Sequence, residues 1–305
     1  MRTLRCLLWL CTSLLITGCL HSEVPSAKPV GCVWRVESPT NHIYLCGTIH
    51  LLRSADYPLA ASYEEAYKDS QRLMFELPPG SGTGLASIMT EAARTTDGKT
   101  LFDMVDAETA KAFRGWAEKR GINADGLSPF KPWFAAITIA AAEYQAAGAE
   151  ANRGVDTFFE QKAARDGKPG SGLETVKSQI DLFANLTNEQ QAELLKQTLA
   201  EVEKLGDMFD EMVTSWKKGD VDSLTKMLFD EAEKHPELME VFIHKRNQAW
   251  IPALEAALAG KERIMVLVGS GHLGGEGGVV KLLEKKGYKV NQLGVTVGQQ
   301  APRGQ

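Results

Sequence analysis

The sequence predicts an α/β protein, with a mixed β-sheet core and a large α-helical insertion. Three observations predict it. Strand-like runs cluster at the two ends of the chain beyond residue 30. The middle is helix-patterned and rich in Ala, Glu, Lys, Leu and Met. Near the C-terminus an apolar strand, a glycine-rich turn, a helix and a further strand follow in the order of a βαβ unit.

Residues 1–18 (MRTLRCLLWLCTSLLITG) read as a signal peptide, with Arg2 and Arg5 before an apolar run from Leu7 to Ile16. That run is shorter than the ~20 apolar residues that span a bilayer. Ile16-Thr17-Gly18-Cys19 looks like a lipobox, in which cleavage precedes Cys19 and its thiol carries a diacylglycerol; an ordinary signal peptide with an incidental cysteine is the alternative. Leu20 follows Cys19 where an Asp would retain a lipoprotein at the inner membrane, so a host with two membranes implies the periplasmic side of the outer membrane. Residues 19–30 are polar and Pro-containing, a lipidated tether, and residues 296–305 form a flexible tail.

The folded domain is expected over 31–295. Residues 31–37 (GCVWRVE) alternate as a strand, Pro39-Thr40-Asn41 turns the chain, and 43–48 (IYLCGT) returns as an antiparallel partner. A helix over 60–70 precedes an apolar strand from Arg72 to Leu77. The helical insertion covers about 101–260. Within it, Lys131 to Ala147 is the most apolar helix, with Pro132 at a tolerated start, and Gly170 to Glu174 returns briefly to the sheet. Residues 187–206 form an amphipathic helix of mixed charge, read as a solvated face over the core. Ile264 to Val268 is apolar throughout, as in a strand buried on both faces; the helix Val279 to Lys286 stops at Gly287, and Tyr288 to Leu293 is the last strand.

Composition narrows the function. A net charge of −5 argues against nucleic-acid binding, which favours a basic face. After export Cys32 and Cys46 are the remaining unmodified thiols. They flank the hairpin and either pair as a disulfide or pack as two small buried groups; without further Cys they do not make a metal site.

The chemical signal is a repeated pattern. Gly47-Thr48-Ile49-His50-Leu51 and Gly269-Ser270-Gly271-His272-Leu273 each place a His three residues after a Gly where a strand ends. Ligands of α/β sheets sit beyond such strand ends, and imidazole is a frequent transition-metal ligand. Two such His on one sheet can share one ion, although one alone would read as a hydrogen-bonded turn residue. Glu76, at the end of the apolar strand LMFEL, supplies a carboxylate whose burial is costly unless it is paired or metal-bound. It is either the third ligand or the salt-bridge partner of Arg246, which lies beside Asn247 in the helix VFIHKRNQAW. Arg246 could equally hold a substrate oxyanion. Glu174 is a second carboxylate at a strand end, or a helix N-terminal acid. His21, His42, His235 and His244 read as surface residues. A nucleophilic enzyme is disfavoured, because Ser270 lies outside a G-x-S-x-G elbow and Cys46 lies inside a strand.

The ordered set GTIHLL, FELPP, KPW at 131–133, GVD at 154–156, GLET at 172–175, HKRN at 244–247 and VGSGHLGGEGGV at 268–279 resembles the TraB/GumN family, which includes the TIKI proteins, over about 32–294. The resemblance implies a fold like erythromycin-esterase-like and ChaN-like proteins. It also implies a site at His50, Glu76, Arg246 and His272, which in the TIKI branch serves a divalent-metal-dependent protease. The expected cofactor is one divalent ion, with Mn, Co and Zn equally compatible. On that expectation His50, His272 and Glu76 are ligands, Arg246 stabilises the developing anion, and Glu76, if it is not a ligand, or else Glu174 is the general base. Three functions follow: hydrolysis of an amide or ester bond in a peptide or small molecule, metal or haem handling without catalysis, or a non-catalytic interaction role at the membrane. The sequence names neither the substrate nor the oligomeric state.

Overall fold

A computed structural model describes residues 30–229 and 236–294. The signal peptide 1–18, Cys19 and the tether through residue 29, His21, His235 and the tail 296–305 lie outside the described residues.

The chain forms a mixed α/β fold around a six-stranded sheet. Strands β1 (Val33–Glu37) and β2 (His42–Thr48) form the antiparallel hairpin, followed by helix α1 (Ala61–Asp69) and β3 (Arg72–Phe75). Helices α2 (Gly82–Ala93), α3 (Ala107–Lys119), α4 (Pro132–Ala146) and α5 (Val155–Asp166) lead to the short strand β4 (Gly170–Gly172). Next come α6 (Val176–Ala184), α7 (Asn188–Glu201), α8 (Leu205–Lys218), α9 (Val221–Phe229), α10 (Pro236–Met239) and α11 (Lys245–Ala259). The chain closes with β5 (Ile264–Gly269), α12 (Val279–Lys285) and β6 (Lys289–Gln292).

The strand order is β4-β3-β5-β2-β1-β6. Parallel pairing joins β4 to β3, β3 to β5 and β5 to β2, while β1 runs against both of its neighbours. The C-terminal strand–helix–strand unit is present, but its crossover passes over β2 and β1 before β6 joins the edge. Residues 43–48 and 264–268 are buried at every position, as covered faces on both sides require.

The two thiols do not pair. Cys32 and Cys46 are free and fully buried. The hairpin register sets Val33, not Cys32, opposite Cys46, so side-chain alternation sends the thiols to opposite faces of the sheet. His42 is another departure from expectation. It opens β2 rather than the turn, its side chain is only 18 % exposed, and Nε2 lies 2.8 Å from Asp69 Oδ2. His244 pairs with Glu240 at 3.5 Å.

The helical stretch 101–260 is not one separate body. Phe159 of α5, Trp216 of α8 and Leu254 and Leu258 of α11 join the sheet's own hydrophobic cluster. A second cluster gathers Phe113, Trp116, Trp133, Ile139, Leu194 and Leu195 from α3, α4 and α7. The apolar helix α4 begins with Pro132 and belongs to both, with Trp133 and Ile139 in one cluster and Ala140 and Tyr144 in the other. No helix among the described residues is long and apolar enough to cross a membrane.

Candidate functional site

Four adjacent parallel strands, β2, β5, β3 and β4, end on one edge of the sheet. His50, His272, Glu76 and Glu174 follow those four ends, one each. The register that aligns them sets Thr48 against Gly269, and Phe75 against both Leu267 and Gly172. Loops beyond the carboxyl ends of parallel strands are where such sheets bind ligands.

The two G-x-x-H segments are packed against each other. A Cβ on Gly47 would meet Ser270 Oγ at 2.6 Å, so the first motif needs its glycine to admit the serine of the second. Ser270 Oγ donates to Thr48 O at 3.0 Å and ties the two strand ends. Gly269 has a different role. A Cβ there would lie 3.2 Å from Glu76 Oε1, 3.6 Å from His272 Cδ2 and 3.9 Å from His50 Nε2. The three candidate ligands therefore converge over one bare Cα.

Glu76 leaves β3 one residue after Phe75. Its Oε1 accepts the Gly269 amide at 2.7 Å, and its Oε2 accepts Arg246 Nη2 at 2.6 Å and Gln179 Nε2 at 3.0 Å. The salt bridge left open by the sequence is thus present, with both side chains largely buried. Burial opposes a charge on Glu76, but Arg246 and the two imidazoles outweigh it and hold the carboxyl well below the usual range.

Arg246 stands in the first turn of α11, directly after a π-helical turn over Glu240–His244. Such turns recur at functional sites. Its guanidinium is fully engaged. Nε donates to Glu174 Oε1 at 2.7 Å, Nη2 to Glu174 Oε2 at 3.0 Å, and Nη1 to His272 Nε2 at 2.8 Å and Phe242 O at 3.2 Å. Trp250 Nε1, one helical turn on, donates to Glu174 Oε1 at 2.9 Å. Both carboxylates are engaged: Glu76 is held strongly acidic by its neighbours, and Glu174 accepts from Arg246 and Trp250.

The two imidazoles differ. His272 is 5 % exposed and its Nδ1 lies 2.7 Å from Asn247 Oδ1. Burial and the neighbouring Arg246 push its pKa down to about 3, so the ring is neutral. The His50 side chain is 47 % exposed, and its Nδ1 lies 3.2 Å from Asp156 Oδ1. The surrounding protein desolvates the ring, but Asp156 and then Glu76 outweigh that and raise its pKa to about 9. Asp156 is delivered by a local device. Gly154 lets the α5 N-terminus abut the His50 backbone, where a Cβ would stand 2.3 Å from His50 O, and Val155 N donates to Ile49 O at 2.9 Å.

All five residues expected at the site come together. Sequence reasoning missed Asp156, Asn247, Gln179 and Trp250. Two signals were available: the GVD triplet, and the spacing that puts Arg246 and Trp250 on one face of a helix.

The donor set suits a divalent cation in kind. Two imidazoles and a carboxylate converge, each ring is anchored through Nδ1 by an outer partner as metal-binding His usually are, and two carboxylates, Glu76 and Glu174, face one guanidinium. Arg246 itself now takes His272 Nε2 and Glu76 Oε2. As the side chains stand, no trio of His, Cys, Asp or Glu among the described residues is spaced to hold an ion.

The profile of the TraB/PrgY/gumN family matches residues 32–292. A relative in Escherichia coli (strain K12), named Uncharacterized protein YbaP, is 26% identical over 242 residues, covering 79% of this chain and 88% of that protein. A Shigella flexneri protein of the same name matches with the same identity and coverage. The Metalloprotease TIKI homolog of Amphimedon queenslandica is 27% identical over 167 residues, which is 47% of this chain and 33% of that relative. No solved structure matches the chain significantly.

Proposed function

The chain belongs to the TraB/PrgY/gumN family, and from that premise we propose a divalent-metal-dependent hydrolase of amide or ester bonds, anchored at the cell envelope by a lipid on Cys19. One observation carries the reading: His50, His272 and Glu76 converge over Gly269 from three neighbouring strand ends. The metalloprotease named among the relatives supports the reaction class. The strand-end site beneath added helices supports the likeness to erythromycin-esterase-like and ChaN-like folds, which superposition of an experimental structure tests.

The ligands we assign are His50 Nε2, His272 Nε2 and the Glu76 carboxylate, and Mn, Co and Zn all suit them. When bound, the ion supplies Lewis acidity toward water and a carbonyl. Asp156 and Asn247 turn the two rings so that Nε2 faces the centre. Arg246 must give up its bonds to His272 and Glu76 for an ion to enter, while Glu174 keeps two bonds to the same guanidinium. Arg246 then offers its charge to the anion that grows on the attacked carbonyl. We assign proton transfer to Glu174, because Glu76 is committed as a ligand and its carboxyl is held well below the usual range.

The direct contacts of Arg246 with Glu76 and His272 favour a second reading, a non-catalytic protein whose site is held shut by its own arginine. Incubating the metal-loaded protein with a peptide library, with and without chelator, separates the two. We expect cleavage that chelator abolishes and that His272→Ala reduces to background. Bound metal without cleavage indicates a binding protein instead, and neither metal nor cleavage leaves the non-catalytic reading. For the anchor, Cys19→Ala is expected to move the protein from the membrane to the soluble fraction in its host; a variant that stays with the membrane removes the lipid from the proposal.

A further inference from the structure

We infer that Asn247 is a positioning residue that fixes His272 as the Nδ1–H tautomer and so aims the Nε2 lone pair at the centre of the site. This goes beyond the ligand assignment, and only its effect on affinity rests on the metal reading.

A neutral imidazole carries its proton on either nitrogen, and the partners decide which. Here two independent partners agree. Asn247 is fully buried, and its Nδ2 donates to two carbonyls, His272 O at 3.2 Å and Gly277 O at 2.8 Å. That leaves only Oδ1 to face His272 Nδ1 at 2.7 Å, and an amide oxygen can only accept. Nδ1 must then be the protonated nitrogen. On the far side of the ring Arg246 Nη1 stands 2.8 Å from Nε2, and a guanidinium can only donate. Nε2 must therefore accept. The flipped tautomer would oppose two donors at Nε2 and two acceptors at Nδ1.

The clamp is also mechanical. By bonding both the ring and the backbone carbonyl of the same residue, Asn247 holds His272 across its side-chain torsions. Trp250 packs on the ring with centroids 4.6 Å apart, one helical turn beyond. Asn247 and Arg246 are adjacent on α11, so one helix sets both nitrogens of the imidazole. Outer partners of this kind orient a ligand and raise its basicity.

The test uses 15N-histidine-labelled, metal-free protein and long-range proton–nitrogen correlation spectra, with His272 assigned through His272→Gln. We expect wild-type His272 to show a protonated Nδ1 and a bare Nε2. Asn247→Leu, close in volume and without an acceptor, leaves Arg246 alone to oppose the Nε2–H form; it is expected to raise the share of that form and to weaken binding of Mn, Co or Zn by ~10–100-fold in calorimetry. Wild-type protein with the proton on Nε2 overturns the inference without any variant having to fold. So does an Asn247→Leu protein that keeps the Nδ1–H form with unchanged affinity. If wild-type protein binds none of the three ions, the metal reading fails, and the spectrum still decides the positioning role.

Discussion

The same short pattern, Gly-x-x-His-Leu, gives two histidines with opposite electrostatic fates. His272 is closed in, faces Arg246 and is neutral; His50 opens to solvent, faces Asp156 and is raised to about 9. A histidine whose folded value lies above its ordinary ~6.5 contributes stability that is complete below ~6.5 and is lost as pH rises through the folded value. Metal-free protein should therefore lose thermal stability between about pH 6.5 and about 9, by a modest amount given the ring's exposure. Asp156→Asn should bring the His50 titration, followed by NMR, down toward its ordinary range and flatten that slope. An unchanged titration would remove Asp156 as the cause. Residue types were legible in the sequence where they break a pattern: a carboxylate ending an apolar strand, or a His after a strand-ending Gly. Partners were not. Glu76 meets Gln179 across 103 positions, and no local rule pairs them.

At the scale of elements, the site depends on strand ends being held in register. Trp216 of α8 braces the first motif. Its Nε1 donates to Gly47 O at 3.0 Å and lies 2.8 Å from the Tyr63 hydroxyl, which itself donates to Gly47 O at 2.5 Å. Trp216→Phe keeps an aromatic ring but removes that donor from a buried network. The expected cost is about 1–3 kcal/mol of unfolding free energy by urea titration. An unchanged midpoint would show that α8 does not brace this strand end. Strand identities followed from β-branched runs and burial on both faces, and they hold to within a residue or two. What the sequence left open was register. Cys32 and Cys46 could pair or pack as two small buried groups, and a one-residue offset turns them to opposite faces, which selects the second.

At the scale of the molecule, helix-forming composition announced the middle of the chain but not its allegiance. Ala, Leu, Glu and Lys favour helix wherever the helix packs, so the sequence merges what the structure divides between the sheet's core and a second, helical core. The division bears on the site. α11 and β4, both inside the helical stretch, bring Arg246 and Glu174 to the edge where the hairpin and the C-terminal unit bring His50 and His272. The proposed activity requires those distant segments to form one cation site. Calorimetric titration of cobalt(II) into metal-free wild-type, His50→Ala and His272→Ala protein tests that most directly. We predict one ion per chain in the wild type and loss of that binding in both variants. Equal binding in all three, or none in the wild type, would contradict it.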